Sequence, residues 1–241
     1  MPLELADNEA HIWYREIPAP AQTPVGPDRL ATLSADEQAR YSRFRFERDR
    51  FLYLESHLLL RQTLSKYAAL QPHEWLFRIA EKGRPEIDNA AVPNLRFNLT
   101  HTRGFAACVV TRAMDCGVDA ERLEAKRNIE GVAARMFSPA ETAALETLDG
   151  TQHLQAFYIG WTLREAYVKA RGIGIGFPTH ALIFAAEEGD VASLSAPHNI
   201  EPHPQLWHFR HRQLSESHLL SVAIRCSAAD TPSFKYFPVD S

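Results

Sequence analysis

Ser34-Ala-Asp-Glu37 opens a helical segment in the first half of the chain, and Ser138-Pro-Ala-Glu141 opens another in the second half. Both have the S-x-x-E spacing of a capping box, in which the serine and the glutamate satisfy each other's backbone N–H groups. A second helical stretch follows each box, and short apolar runs typical of strands come next. The order helix, helix, strands therefore occurs twice, which predicts an α/β (α+β) fold made of two similar halves.

These repeated segments also define where we expect the two halves to meet. The longer helices are predicted at 50–61 and 153–169, and the strands at 95–99, 106–111, 181–185 and 219–224. We place the boundary so that residues 1–114 form the N-terminal half and residues 115–241 the C-terminal half, with the ligand site in the cleft between them. The alternative is that two capping boxes in a helical protein are a coincidence.

Composition restricts the class of protein. Hydrophobic residues make up 45% of the 241 residues and charged residues 23%, which is usual for a globular protein and excludes a disordered chain. The net charge of −4 argues against a nucleic-acid partner. Three cysteines are an odd number that suits reduced thiols, and neither a signal peptide nor an apolar run of about 20 residues is present. We expect a cytoplasmic protein without a membrane partner.

Two acidic residues lie close together in Cys116-Gly-Val-Asp-Ala-Glu121. On an extended segment, Asp119 and Glu121 point to the same side because they are two positions apart. Two neighbouring carboxylates repel each other unless they share a cation or a proton, and their hard oxygen atoms suit Mg²⁺. The alternative is a solvated strand end whose charge is neutralised by Arg122.

The segment Trp161-Thr-Leu-Arg-Glu-Ala-Tyr-Val-Lys169 is rich in helix formers. Trp161, Glu165 and Lys169 follow one another at i, i+4 and i+8, so they share one stripe of the helix. The alternative is an exposed Glu–Lys pair, but a tryptophan on the same stripe favours a partly buried place. Gly172 is predicted to cap this helix rather than to bind a dinucleotide, because its glycine run follows a helix instead of opening one.

Other polar groups are suited to an anion. Hydroxyl and imidazole donors follow an apolar stretch in Leu95-Arg-Phe-Asn-Leu-Thr-His101, and Lys82-Gly-Arg-Pro85 offers cations in a turn. A structural polar turn explains the first segment equally well. Between residues 40 and 50, five arginines are interleaved with two phenylalanines. This basic segment indicates either a solvated helix face or a contact with a phosphorylated ligand or an acidic protein.

Histidines are numerous, and His208-x-x-His211 has a spacing compatible with a metal site. No third ligand follows at a diagnostic distance, and the surrounding residues are aromatic and strand-like. We therefore expect these two histidines in an edge strand rather than on a metal.

Four motifs occur in a fixed order, and the ordered series is more specific than any single motif. They are Gly83-Arg-Pro85, Phe97-Asn-Leu-Thr-His101, Gly117-Val-Asp-Ala-Glu121 and the segment from Phe157 to Gly172 that contains Trp161-Thr-Leu-Arg-Glu-Ala. This series closely resembles that of the Sfp-type 4′-phosphopantetheinyl transferases, in the form of their W/KEA subgroup. The resemblance spans about residues 34–180.

The resemblance implies a pseudo-dimer of two α/β halves with coenzyme A and Mg²⁺ in the cleft between them. Such an enzyme transfers the phosphopantetheine arm to a serine of an acyl or peptidyl carrier protein and releases adenosine 3′,5′-bisphosphate. A monomer is expected, and the competing interpretations are a Mg²⁺-dependent phosphoesterase and a non-catalytic coenzyme A-binding or carrier-docking module.

Residue roles follow from the same resemblance. Asp119, Glu121 and Glu165 correspond to the metal-binding acids, and Glu165 is the candidate base for the serine proton. Lys169 corresponds to the lysine near the pyrophosphate. The remaining coenzyme-binding positions are Thr100, His101, Arg84 and, more loosely, Arg40.

Four positions depart from the family pattern: Ala120 is smaller than the isoleucine that is usual between the two acids, and the other three keep the chemistry of the usual residue. Arg164 and Arg84 stand where lysine is usual, and Thr100 stands where serine is usual. Charge or hydroxyl is kept at each of these three positions, so the departures affect fine geometry, because arginine and lysine present their donors differently.

Overall fold

In the computed structural model, which describes residues 2–19, 26–92, 94–125, 128–174 and 176–240, the chain divides into two units. The first unit extends to Ala113 and also includes the C-terminal segment from Ser233. The second unit is Met114–Pro232. The final strand thus belongs with the first unit, although it follows the second along the chain.

A mixed sheet and one long helix organise the first unit. Its elements are β1 (Glu9–Glu16), α1 (Pro27–Ala31), α2 (Ala35–Arg43), α3 (Glu47–Leu64), β2 (Phe77–Ile79), β3 (Pro85–Ile87), β4 (Leu95–Thr102), β5 (Phe105–Arg112) and β11 (Ser233–Pro238). The strand order is β11-β1-β5-β4, with β11 parallel to β1 and the other pairs antiparallel, while β2 and β3 form a separate hairpin. Leu60 and Leu64 of α3 pack against Phe97 and Val110 of the sheet.

The second unit repeats this plan with an antiparallel sheet. Its elements are β6 (Asp115–Arg122), α4 (Ile129–Met136), α5 (Pro139–Glu146), α6 (Gly150–Arg171), β7 (Ile183–Ala186), β8 (Val191–Ser195), β9 (Trp207–Gln213) and β10 (His218–Arg225). The strand order is β6-β10-β9-β8-β7. Ala166 and Tyr167 of α6 pack against Phe209 and Ala223 of the sheet. Short 3-10 turns occur at Pro72–Glu74, Thr179–Ala181 and Pro204–Leu206.

Both predicted capping boxes form, and in each unit a buried arginine extends the box. Glu37 accepts from the backbone N–H of Ser34, and Glu141 accepts from that of Ser138. Arg61 of α3 contacts Glu37 at 2.6 Å, and Arg164 of α6 contacts Glu141 at 2.5 Å. Both arginines are fully buried. The predicted mixed α/β fold is confirmed, and this matching ion pair marks the repeat at the level of side chains.

The structure also corrects details of the sequence prediction. The strand expected from Ala181 begins at Ile183, because a 3-10 turn occupies Thr179–Ala181. β9, which carries the two histidines, lies between β10 and β8, so the expectation of an edge strand was wrong. Gly172 caps α6 in the left-handed conformation, with φ 61°, as predicted. Within the ranges described, none of the helices has the length and hydrophobicity needed to cross a bilayer.

Candidate active site

A glycine allows β6 to lie directly against the backbone of α6. A Cβ atom on Gly117 would come within 2.1 Å of the carbonyl oxygen of Ala166 and 2.5 Å of the backbone nitrogen of Ala170. Alanine at both helix positions keeps this contact free of large side chains. Since Asp119 is two residues beyond Gly117, its side chain lies on the same face of β6 and points toward α6.

Asp119 and Lys169 form an ion pair across this contact. The Nζ atom of Lys169 lies 2.6 Å from Oδ1 of Asp119 and donates a second hydrogen bond, of 3.2 Å, to the carbonyl oxygen of Val118. The side chain of Asp119 is 10% exposed and that of Lys169 is 29% exposed. Hence the carboxylate is almost enclosed, while the ammonium group remains within reach of solvent.

Glu165 lies one helical turn before Lys169, and both acids of β6 affect its pKa. Burial raises the pKa of Glu165, the negative charge of Asp119 raises it further, the ammonium of Lys169 opposes the shift, and Glu121 adds to it. The three carboxylates and the ammonium group therefore interact as one electrostatic cluster.

The chemistry of this cluster fits a divalent cation. The cluster contains three carboxylates, and carboxylate oxygens are ligands that Mg²⁺ takes in proteins. Within the described parts of the chain, no three His, Cys, Asp or Glu side chains already stand together as a ready metal-ligand set. The ammonium group of Lys169 lies against Asp119.

A buried pair of hydroxyls holds α6 over the sheet beside the cluster. Ser221 of β10 lies directly opposite Asp119 in the strand register, and its Oγ atom is 2.7 Å from Oγ1 of Thr162 on α6. Both side chains are fully buried. Sequence reasoning missed this pair, although a serine inside the apolar run of β10 was the available signal.

Arg164 has a structural role that the sequence did not reveal. Its guanidinium is fully buried, lies 4.3 Å from the ring centre of Phe137, and donates to the carbonyl oxygens of Met136 and Leu182. Burial lowers the pKa of Arg164, and Glu141 opposes that shift. Arg164 therefore contributes to the packing of α6 in the core.

The remaining predicted site residues belong to the first unit. Arg84 pairs with Glu86 at 2.5 Å, and Arg96 contacts the same carboxylate at 3.2 Å. Thr100 is buried, whereas its neighbour His101 is exposed. Because successive residues of a strand point to opposite faces, these two side chains leave β4 on different sides.

The basic segment lies on α2, on the start of α3 and between them. Arg40 and Arg43 are exposed and line an open surface depression beside Phe44. Phe46 is 51% exposed, and the guanidinium groups of Arg45 and Arg48 lie 5.4 Å and 5.2 Å from its ring centre. An aromatic ring between two cations is thus open to solvent.

Two models of protein families match this chain. The model of the 4′-phosphopantetheinyl transferase superfamily matches residues 115–223, and that of the 4′-phosphopantetheinyl transferase N-terminal region matches residues 27–113. The first match contains Asp119, Glu121, Glu165 and Lys169.

Relatives of known name agree with these matches. The 4′-phosphopantetheinyl transferase HetI of Nostoc sp. is 36% identical over 174 residues, which cover 72% of this chain and 73% of that protein. A putative 4′-phosphopantetheinyl transferase of Synechocystis sp. is 31% identical over 69% of this chain and 66% of its own length. A 4′-phosphopantetheinyl transferase of Bacillus subtilis is 28% identical over 72% of this chain and 75% of its own length. The chain described here therefore belongs to the 4′-phosphopantetheinyl transferase superfamily.

Proposed function

We propose that this enzyme moves the 4′-phosphopantetheine arm of coenzyme A onto a serine hydroxyl of an acyl or peptidyl carrier protein, with release of adenosine 3′,5′-bisphosphate. The observation that carries the proposal is the cluster of Asp119, Glu165 and Lys169 where β6 meets α6, in a chain that belongs to this transferase superfamily. We place the reaction in the cytoplasm and assign it to a monomer.

Asp119, Glu121 and Glu165 would hold Mg²⁺. When bound, Mg²⁺ draws electron density from the pyrophosphate that is attacked. The support for these ligands is their chemistry: three carboxylates of one cluster, one of them with its pKa raised by burial and by the charge of Asp119. A divalent cation would offset negative charge of the three carboxylates.

Phosphoryl transfer requires positioning and charge stabilisation from the protein. Lys169, at the edge of the cluster and partly exposed, would donate to the phosphate oxygens of the departing bisphosphate. Glu165 would accept the serine proton. As a carboxylate among the acids that would hold the metal, it would act as the general base for this step.

Coenzyme A would also contact residues of the first unit. The exposed imidazole of His101 suits a phosphate group, whereas Thr100 is buried on the opposite face of β4 and suits a supporting role. Arg84 would bring a cation whose orientation is set by Glu86. Arg40 is exposed on α2 and would add a further positive charge.

The proposal is tested by labelling an apo carrier protein with fluorescent coenzyme A in the presence of Mg²⁺. Asp119→Ala and Glu165→Ala should abolish labelling while circular dichroism shows a folded protein. Glu188→Ala, a change of an exposed glutamate in the same unit, is the matched control and should label at the wild-type rate. Wild-type rates in both site variants would refute the assignment of these acids.

Two other functions predict different results in the same assay. A Mg²⁺-dependent phosphoesterase would release free phosphopantetheine without any acceptor protein. A binding or docking module would retain coenzyme A, show no turnover and be indifferent to a chelator. Mass spectrometry of the carrier distinguishes both from the transferase, because only the transferase adds the arm.

A further inference from the structure

We propose that Lys169 is an internal competitor of the metal ion. By pairing with Asp119, its ammonium group weakens the binding of a divalent cation to the enzyme alone, and coenzyme A relieves this competition. The metal ion and coenzyme A should therefore bind cooperatively. This inference rests on the proposed function, since it concerns the same metal site and the same substrate.

The first step of the argument is the contact itself. Nζ of Lys169 lies 2.6 Å from Oδ1 of Asp119, and its second hydrogen bond to Val118 holds it in that position. An oxygen that accepts from an ammonium at this distance has less electron density to offer a metal ion. Binding a metal there requires the lysine to move or to share the carboxylate.

The second step concerns charge. Glu165 responds to the charges of Asp119, Lys169 and Glu121, so an ion placed among the three carboxylates would be close to the ammonium group as well. Like charges a few ångströms apart change a binding constant by an order of magnitude or more at the effective dielectric of a protein surface. The lysine that stabilises the carboxylates without metal therefore opposes the metal.

The third step concerns how coenzyme A relieves the competition. Its pyrophosphate is an anion that can accept hydrogen bonds from the ammonium group in place of Asp119. The side chain of Lys169 is long, flexible and 29% exposed, so it can turn to a phosphate oxygen without movement of α6. Once it does so, Oδ1 of Asp119 no longer accepts a hydrogen bond from Lys169, and this one competitor of the metal is removed. By linkage, coenzyme A then tightens metal binding by the same factor as the metal tightens coenzyme A binding.

The test measures metal binding without turnover. Mn²⁺ serves as the probe, and the free ion is counted by electron paramagnetic resonance with and without coenzyme A, in the absence of any carrier protein. A blank titration corrects for Mn²⁺ bound by coenzyme A alone. Lys169→Met is compared with wild type and with Lys66→Met, a control in the first unit where the lysine lies 5.0 Å from the ring centre of Trp13.

In wild type and in Lys66→Met, coenzyme A should tighten Mn²⁺ binding. Lys169→Met should bind Mn²⁺ more tightly than wild type in the absence of coenzyme A, on the order of tenfold. The additional tightening that coenzyme A causes should be smaller in Lys169→Met than in wild type, because the part that comes from the release of Asp119 no longer depends on coenzyme A. Lys169→Gln, which keeps a hydrogen-bond donor but no charge, should behave in the same way if Lys169→Met does not fold.

Unchanged or weaker Mn²⁺ binding in the neutral variants would overturn the inference, as would wild-type binding that is indifferent to coenzyme A. The proposed function fails on a different result, namely a wild-type enzyme that does not label a carrier. Labelling by wild type together with unchanged Mn²⁺ affinity in Lys169→Met would reject the competition alone.

Discussion

Replacement of Gly117 by alanine should damage both the fold and the reaction, because the added methyl group has no room. Its Cβ would lie 2.1 Å from the carbonyl oxygen of Ala166 and 2.5 Å from the nitrogen of Ala170. Both atoms belong to the helix backbone, so no change of rotamer relieves the overlap. β6 and α6 must separate by about 1 Å before the closest contact exceeds 3.0 Å.

The effects on stability and on the reaction rate can be estimated from this displacement. Overpacking of a well-filled interface destabilises a protein by about 3 kcal/mol. For a chain of this size that corresponds to a fall in melting temperature of roughly 6–12 °C. The same separation stretches the 2.6 Å contact between Lys169 and Asp119 and moves the acids of β6 away from Glu165. A misplacement of about 1 Å at a reacting centre lowers the rate by about 100-fold.

Calorimetry and carrier labelling at 20 °C measure the two effects separately. Gly26→Ala is the matched control, because a Cβ at Gly26 meets nothing within 4 Å and the residue has no left-handed φ. The double variant Gly117→Ala/Ala166→Gly should not recover, since the clash at Ala166 is with its carbonyl oxygen. If Gly117→Ala melts with wild type and labels the carrier at the wild-type rate, the close approach of β6 and α6 is wrong.

Three further predictions concern titration and substrate binding. Burial alone would raise the pKa of Glu37, but His57 and Arg61 outweigh this effect and hold the pKa at about 2, below the ordinary 4.5. The stabilising contribution of the Glu37 carboxylate is therefore present above pH 4.5 and lost on acidification toward pH 2. Glu37→Gln should cost about 3 kcal/mol in urea unfolding at pH 7 because Arg61 stays buried, and a constant cost down to pH 2 would contradict this. The pKa of Glu165 is raised by burial and by Asp119, so its ionised form disfavours folding above that pKa. Without metal, Glu165→Gln should therefore have a higher melting temperature than wild type at pH 8, and this gain should disappear in acid. A lower melting temperature of the variant at pH 8 would refute the prediction. His101→Ala should raise the KM for coenzyme A with little change in melting temperature, whereas Thr100→Val should mainly change melting, and the reverse pattern in steady-state kinetics would exchange their roles.

Much of the local structure could be predicted because it depends on near neighbours. The capping boxes at Ser34 and Ser138 use residues three positions apart, and Gly172 ends α6 through its own left-handed conformation. Asp119 and Glu121 share a face because a strand has a period of two. Each of these features depends on residues that are a few positions apart in the sequence.

Contacts across the fold could not be predicted in the same way. Arg61 and Arg164 appear in the sequence as ordinary helix residues, yet both are fully buried partners of the capping-box glutamates. Nothing in the local pattern of Ser233–Pro238 indicates that this strand pairs with β1. Strand partners are chosen by packing between distant segments, which local periodicity does not encode.

The sequence by itself determined which side chains lie on the same stripe or face: Glu165 with Lys169, and Asp119 with Glu121. It did so because helical and extended backbones repeat at fixed periods. Only the tertiary structure decided that the two pairs meet, since Asp119 and Lys169 are 50 residues apart and their 2.6 Å contact depends on how closely β6 approaches α6. That approach is possible because Gly117 has no side chain to keep the strand and the helix apart.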